Sequence, residues 1–207
     1  MIKAILFDMG GVVVRFGSMD DVFRKFQALG VADVEEYMGR FGQKGIFLDI
    51  ELGKMSAQEW LRALERLTGR EHISFLEARE AWTAFVRDVP QEGLNFIQTL
   101  RQRYKVYLAS NTNVFVQDWA RSADFSPAHK PITDYFDGLF CSHEMGLYKP
   151  DASFFQHILN TLGLQPQECL FLDDSPKNTQ AAEQLGIQTL LVGENQDLQD
   201  ALANLTL

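Results

Sequence analysis

The sequence is short of every feature that would place it outside a reducing, aqueous compartment. Its 207 residues include two cysteines, Cys141 and Cys169. Both sit in apolar, strand-like runs, so buried free thiols are expected rather than a disulfide framework. No apolar run is long enough to span a bilayer, and the N-terminus lacks the basic–apolar–small pattern of a signal peptide. A cytoplasmic protein with no membrane partner is therefore expected. Basic residues are outnumbered, 19 Lys and Arg against 28 Asp and Glu, for a net charge of −9. Such a surface lacks the basic patches that sequence-independent nucleic-acid binding needs, so no nucleic-acid partner is expected. An anionic ligand would have to be held by locally placed cations, amides or a metal. His72, His129, His143 and His157 show no metal-ligand spacing and read as surface or packing residues. There is no internal repeat, no low-complexity tract and no signature of a fixed oligomeric state.

What is present is an ordinary globular composition, 46% hydrophobic and 23% charged, in a chain long enough for one full core and a smaller module. The organising stretch is Lys3-Ala4-Ile5-Leu6-Phe7-Asp8-Met9-Gly10-Gly11. An apolar run ends on one acid and breaks into two glycines, which reads as a buried parallel strand with Asp8 at its carboxyl end. In open α/β sheets that edge binds ligands, and glycines let the backbone approach a phosphate closely. Taken alone, Asp8 reads equally well as a turn or cap residue.

Residues 15–89 read as a helical bundle without strands. Ser18 caps a helix bearing Val22, Phe26 and Leu29 and ended by Gly30, and a second short helix is expected from Asp33 to about Phe41. Ser56-Ala57-Gln58-Glu59 and Ser74-Phe75-Leu76-Glu77 are capping boxes. The first opens a helix with Trp60, Leu64 and Leu67 on one face; the second precedes Ala78, Ala81, Trp82 and Phe85. Pro90 marks the exit from the segment.

From there strands alternate with helices. Strands are expected at Val106–Ala109, Gly138–Cys141, Cys169–Leu172 and Thr189–Val192. Asp151 is expected to cap the helix carrying Phe154, Phe155, Ile158 and Leu162. The stretch 112–137 reads as less regular, and a tail helix is expected around Leu198, Ala201 and Leu205. Alternation of this kind means α/β: a Rossmann-like parallel sheet flanked by helices, with a small all-α bundle beside it.

Polar residues follow separate strands: Asp8, Ser110-Asn111, and Asp173-Asp174, with Lys149-Pro150 a short loop beyond another. In a parallel sheet these ends share one edge. Singly, Lys149 reads as a solvated lysine, Ser110-Asn111 as a turn, and Asp173-Asp174-Ser175 as a helix cap. Together they suit phosphoryl transfer. Asp8 can act as a carboxylate nucleophile, and Asp8 with Asp174 can hold Mg²⁺, whose positive charge relieves their repulsion. Lys149 offsets phosphate charge and keeps Asp8 ionised, while Ser110 and Asn111 donate to phosphate oxygens.

On these residues the chain resembles the haloacid dehalogenase (HAD) superfamily along essentially its whole length. Asp8 matches the family's nucleophile, Ser110 its second-motif hydroxyl, Lys149 its third-motif lysine and Asp173-Asp174 its acidic fourth motif. The resemblance implies a HAD-like core domain of residues 1–14 and 90–207, with residues 15–89 as a helical cap domain inserted after the first motif. It implies Asp174 as the metal ligand beside Asp8, Gly10 contributing its backbone carbonyl, and Asp173 acting from behind them. Ser110-Asn111-Thr112-Asn113, Gly146-Leu147-Tyr148-Lys149-Pro150 and Asp173-Asp174-Ser175-Pro176-Lys177-Asn178 look closest to α-D-glucose-1-phosphate phosphatases.

The implied activity is therefore Mg²⁺-dependent hydrolysis of a small phosphorylated metabolite, a sugar phosphate. The chain departs from the family at Gly10, where most of its phosphatases carry a second Asp as general acid and base. That gap leaves open a non-catalytic or weakly active phospholigand-binding protein. A 2-haloacid dehalogenase is the other alternative, against which stand Asp174 and Gly10, since dehalogenases of the family need no metal and tend to carry an aromatic residue at the Gly10 position. In the cap, Arg40, Lys44, Phe47, Glu51 and Trp60 are the positions from which specificity would come, each equally readable as bundle surface or core. In the stretch 112–137, Trp119, Arg121 and His129 either border the site or cover the sheet edge.

Overall fold

The computed structural model describes residues 1–40, 42–193 and 195–203. The opening run forms strand β1 (Ala4–Phe7), with all four residues buried, because a strand covered by helices on both faces has no polar side to present. The chain turns through Gly10 and Gly11 into a two-residue strand, β2 (Arg15–Phe16). Helix α1 (Met19–Ala28) follows, its Ser18 cap accepting from the Asp20 N–H, and α2 (Val34–Tyr37) is one turn. Strands β3 (Met38–Gly39) and β4 (Gly42–Gln43) form a tight antiparallel ribbon leading into α3 (Gly45–Glu51). Helices α4 (Ala57–Thr68) and α5 (Phe75–Thr83) open on the two expected capping boxes. In each, the serine hydroxyl accepts from the third helical N–H while that residue's glutamate takes the serine N–H. Strand β5 (Val86–Asp88) then pairs antiparallel with β2, so residues 15–89 leave and rejoin the rest of the chain side by side.

The expectation of a strand-free segment fails at these two ribbons. Strands two or three residues long carry no alternation to read, and tertiary pairing alone creates them. The helix expected from Asp33 stops at Tyr37 because Met38 is extended (φ −130°, ψ 135°); Phe41 lies outside the described residues. Leu67 is 42% exposed rather than on the buried face of α4 with Trp60 and Leu64. Phe85 lies just beyond α5.

After Pro90 come α6 (Gln91–Leu100), β6 (Lys105–Ser110), α7 (Val114–Ala120), β7 (Gly138–Cys141) and the single turn α8 (Ser142–Met145). Then follow α9 (Ala152–Leu162), β8 (Cys169–Asp173), α10 (Pro176–Gln184), β9 (Gln188–Leu191) and α11 (Leu198–Leu202). Helix α7 corrects the reading of 112–137 as irregular. Phe115, Val116, Gln117, Trp119 and Ala120 are all buried, so the helix lacks a polar face that would betray its period. Asp151 stands at the start of α9, but its side chain makes no capping hydrogen bond. Leu205, expected in the tail helix, lies outside the described residues. Both cysteines are free and buried, and no described helix is long and apolar enough to cross a membrane.

The five long strands form one parallel sheet in the order β7-β6-β1-β8-β9, with β1 at its centre. Ala4 and Leu6 face Phe154, Phe155, Ile158 and Phe171 on one side. Ile5 and Phe7 face the other side, in a core that continues without a break into the aromatic cluster of 15–89. There Phe26, Phe47, Trp60 and Trp82 pack against one another, and Trp60 and Phe75 meet Phe115 of α7 at ring separations of 5.0 and 4.9 Å.

Candidate active site

The parallel sheet brings the carboxyl ends of β1, β6 and β8 together, and with them Asp8, Ser110, Asn111, Asp173 and Asp174. Lys149 enters from the loop after α8. Its side chain is buried, and its Nζ donates to Asp8 Oδ1 and Asp173 Oδ2, each at 2.7 Å. A buried ammonium persists only when paired in this way. Burial works against the Lys149 charge, but Asp173 and Asp8 outweigh it and hold its pKa above the ordinary value. For Asp8, burial pushes the pKa up, Lys149 pulls it down, and the nearby Asp173 and Asp174 push it up again, leaving it raised.

Asp173 is fully engaged. Its Oδ1 accepts from the Ser175 N–H at 2.8 Å and the Asn178 amide at 3.0 Å; its Oδ2 accepts from Lys149 and again from Asn178, at 3.1 Å. Asp174 points into the cavity, where its Oδ2 accepts from Arg40 Nη2 at 3.1 Å. Burial and the charge of Asp173 raise the Asp174 pKa against the pull of Arg40.

Asn111 brackets the backbone of Lys149: its Nδ2 donates to the Lys149 carbonyl (2.9 Å) and its Oδ1 accepts from the Lys149 N–H (2.8 Å). Half of its amide is thus committed to positioning the lysine rather than to a ligand. The Ser110 hydroxyl makes one long contact, 3.4 Å to the Asn111 carbonyl, and lines the cavity beside Asp8, Gly10 and Lys149.

The two glycines after Asp8 are fixed by space. A Cβ on Gly11, at φ +77°, would stand 2.5 Å from Asp174 Oδ2. A Cβ on Gly10 would stand 2.6 Å from Cε2 of Phe16. That ring is held between Phe85, at 4.9 Å, and the Arg40 guanidinium, 5.2 Å from its centroid.

Asp8, Asp173 and Asp174 each offer a carboxylate oxygen, all within 4.8 Å of one another. An all-oxygen donor set of three carboxylates, met by only the two cations Lys149 and Arg40, suits a hard divalent cation such as Mg²⁺, which takes one or two carboxylates and completes its shell with water and phosphate. Because Asp173 is saturated, Asp8 and Asp174 are the two with ligand capacity.

Of the five positions in 15–89 expected to set specificity, Arg40 and Glu51 line the cavity, Phe47 and Trp60 are core, and Lys44 is exposed. From 112–137, Thr112 and Val116 reach the cavity; Trp119, Arg121 and His129 do not. Sequence reasoning did not single out Tyr148, which lines the cavity and donates to Glu51, or Asn178, which orients Asp173. For Asn178 the available signal was its place one turn into the helix after Asp173.

The haloacid dehalogenase-like hydrolase family model matches residues 2–186. A D-ribitol-5-phosphate phosphatase from Bacteroides thetaiotaomicron is 40% identical over 189 residues, covering 91% of each chain. Among solved structures, one described as a predicted HAD-like family hydrolase from Porphyromonas gingivalis superposes with a TM-score of 0.91 at 35% identity, over 98% of this chain and 97% of that one. A HAD family enzyme from Bacteroides thetaiotaomicron, solved in complex with magnesium and inorganic phosphate, gives 0.86 at 31% identity over 97% and 98%.

Proposed function

This chain belongs to the haloacid dehalogenase-like hydrolase family, and from that premise we propose that it is a Mg²⁺-dependent phosphatase of a small phosphorylated sugar or sugar alcohol. The observation that carries the proposal is the buried Asp8–Lys149–Asp173 ion cluster with Asp174 beside it, of which Asp8, Lys149 and Asp174 line a cavity on the ligand-binding edge of the sheet. Asp8 is the nucleophile that takes the phosphoryl group. Lys149, steered by Asp173 and bracketed by Asn111, keeps Asp8 ionised and meets the phosphate oxygens, to which the Ser110 hydroxyl and the second Asn111 N–H also donate. Asp8, Asp174 and the Gly10 carbonyl would hold Mg²⁺. When bound, the ion supplies positive charge against the phosphate and the two carboxylates. Residues 15–89 act as a cap domain over the core domain of 1–14 and 90–207 and deliver Arg40 and Glu51 to the cavity.

The motifs pointed to glucose 1-phosphate, while the similarity to a D-ribitol-5-phosphate phosphatase supports a sugar-alcohol phosphate. Phosphate release from a panel holding both, with Mg²⁺ and with EDTA, tests the proposal. Metal-dependent turnover that disappears in Asp8→Asn, with a beryllofluoride adduct forming on wild-type Asp8, is the expected result. Turnover surviving Asp8→Asn would overturn it. Saturable phospholigand binding without release would make the protein a sensor, and halide release persisting in EDTA would make it a dehalogenase.

A further inference from the structure

A phosphatase that expels an alcohol needs a proton for the leaving oxygen and, later, a base for the attacking water. The loop after Asp8 cannot supply them, since Gly10 has no side chain and the Phe16 ring fills the space one would occupy. Among the described residues, the titratable groups lining the cavity are Asp8, Arg40, Glu51, Tyr148, Lys149 and Asp174. Asp8 and Lys149 pair with each other, and Arg40 pairs with Asp174. Burial and the neighbouring Glu51 push the Tyr148 hydroxyl far above the range where it could release a proton. Glu51 is what is left.

Glu51 ends α3 and is 5% exposed, and its placement is fixed at both ends. The Ser142 hydroxyl donates to its carbonyl at 2.7 Å, and the Tyr148 hydroxyl donates to its Oε2 at 2.8 Å. No described protein group hydrogen-bonds to Oε1, and Glu51 lines the cavity. Burial raises the Glu51 pKa to about 7, opposed only by the Tyr148 hydrogen bond. Helix α4, β4 and α8 pack against α3; the charged Glu59, Arg62, Glu65 and Arg66 of α4 and Glu144 of α8 are not among the causes that shift Glu51, and burial holds the pKa of His143 of α8 low. Across the cavity stand Asp8 and Lys149, whose charges offset each other.

Resting on the phosphatase reading above, we propose that Glu51 is the general acid and base of the reaction, a catalytic residue lent by the cap segment in place of one at Gly10. In the first half-reaction an Asp8 oxygen bonds to phosphorus as the bond from phosphorus to the leaving oxygen breaks. The Glu51 carboxyl gives its proton to that oxygen, so a neutral alcohol departs. In the second, water attacks the phosphorus of the aspartyl-phosphate, Glu51 takes back a proton from that water, and Asp8 leaves as a carboxylate with inorganic phosphate.

The test compares kcat/KM of wild type and Glu51→Gln on two substrates, ribitol 5-phosphate and p-nitrophenyl phosphate, in Mg²⁺. A nitrophenolate leaves without protonation and an alkoxide does not. Glu51→Gln is expected to lose ~10²–10⁴-fold in kcat/KM on the alkyl phosphate, and only a few-fold on the nitrophenyl ester. With that ester the variant should give a burst of nitrophenolate followed by slow turnover, because the base is missing from the second half. In wild type, kcat/KM for the alkyl phosphate should fall above pH 7 while that for the nitrophenyl ester does not, a reading that needs no variant to fold. Equal losses on both substrates, or none, would overturn the role of Glu51 while leaving the phosphatase reading intact. Phosphate release that survives Asp8→Asn, or none from wild type on either substrate, would remove both.

Discussion

The Phe16 ring occupies the space of a side chain at Gly10: a Cβ there would lie 2.6 Å from Phe16 Cε2. Restoring an aspartate by Gly10→Asp is therefore expected to destabilise the fold by about 1–3 kcal/mol, the usual cost of overpacking, and not to speed turnover. Phe16→Ala should relieve the clash. A double-mutant cycle in urea with a coupling energy near zero would show that the ring gives way freely.

Gly11 presses on Asp174 from the other side, its absent Cβ 2.5 Å from Asp174 Oδ2 at φ +77°. Gly11→Ala is expected to displace that carboxylate and weaken Mg²⁺ binding ~10–100-fold, the range typical of disturbed ligand support. Calorimetric titration with Mg²⁺ checks this; unchanged affinity would mean that Asp174 is not a ligand.

Lys149→Met should behave unlike a surface lysine change. It leaves Asp8 and Asp173 buried without their cation, a loss of about 3–5 kcal/mol in the metal-free protein. Saturating Mg²⁺ should recover part of that stability by binding only the folded state. Equal denaturation midpoints for variant and wild type would contradict the ion cluster.

Glu51 also gives stability a pH signature. Its folded pKa, about 7, lies above its ordinary 4.5, so the folded state binds the proton more tightly than the unfolded chain. Its contribution is fully present below pH 4.5, is lost as pH rises to about 7, and is constant above. Wild type relative to Glu51→Gln should lose about 3 kcal/mol across that window. Parallel stability curves for the two proteins would contradict it.

The sheet and its polar edge were legible because each rests on a local pattern. An apolar run ending in Asp8 is readable from a few neighbouring residues, and a parallel topology gathers such ends without further information. The capping boxes at Ser56 and Ser74 are local in the same way. What escaped is long-range. Arg40 meets Asp174 across 134 positions, and Tyr148 meets Glu51 across 97. Nothing near Asn111 says that its amide will grip a backbone 38 residues away. Helix α7 was hidden by its own burial, since a helix wrapped in core shows no polar stripe.

In sequence, residues 15–89 look like something that could be cut out and replaced by a short linker. Their packing says otherwise. Trp60 and Phe75 close on Phe115 of α7, and one apolar core runs from the sheet through that ring into the helices. A chain shortened at the β2–β5 ribbon would leave Phe115 open to water. Residues 15–89 and the sheet thus share one core, and neither keeps its packing without the other.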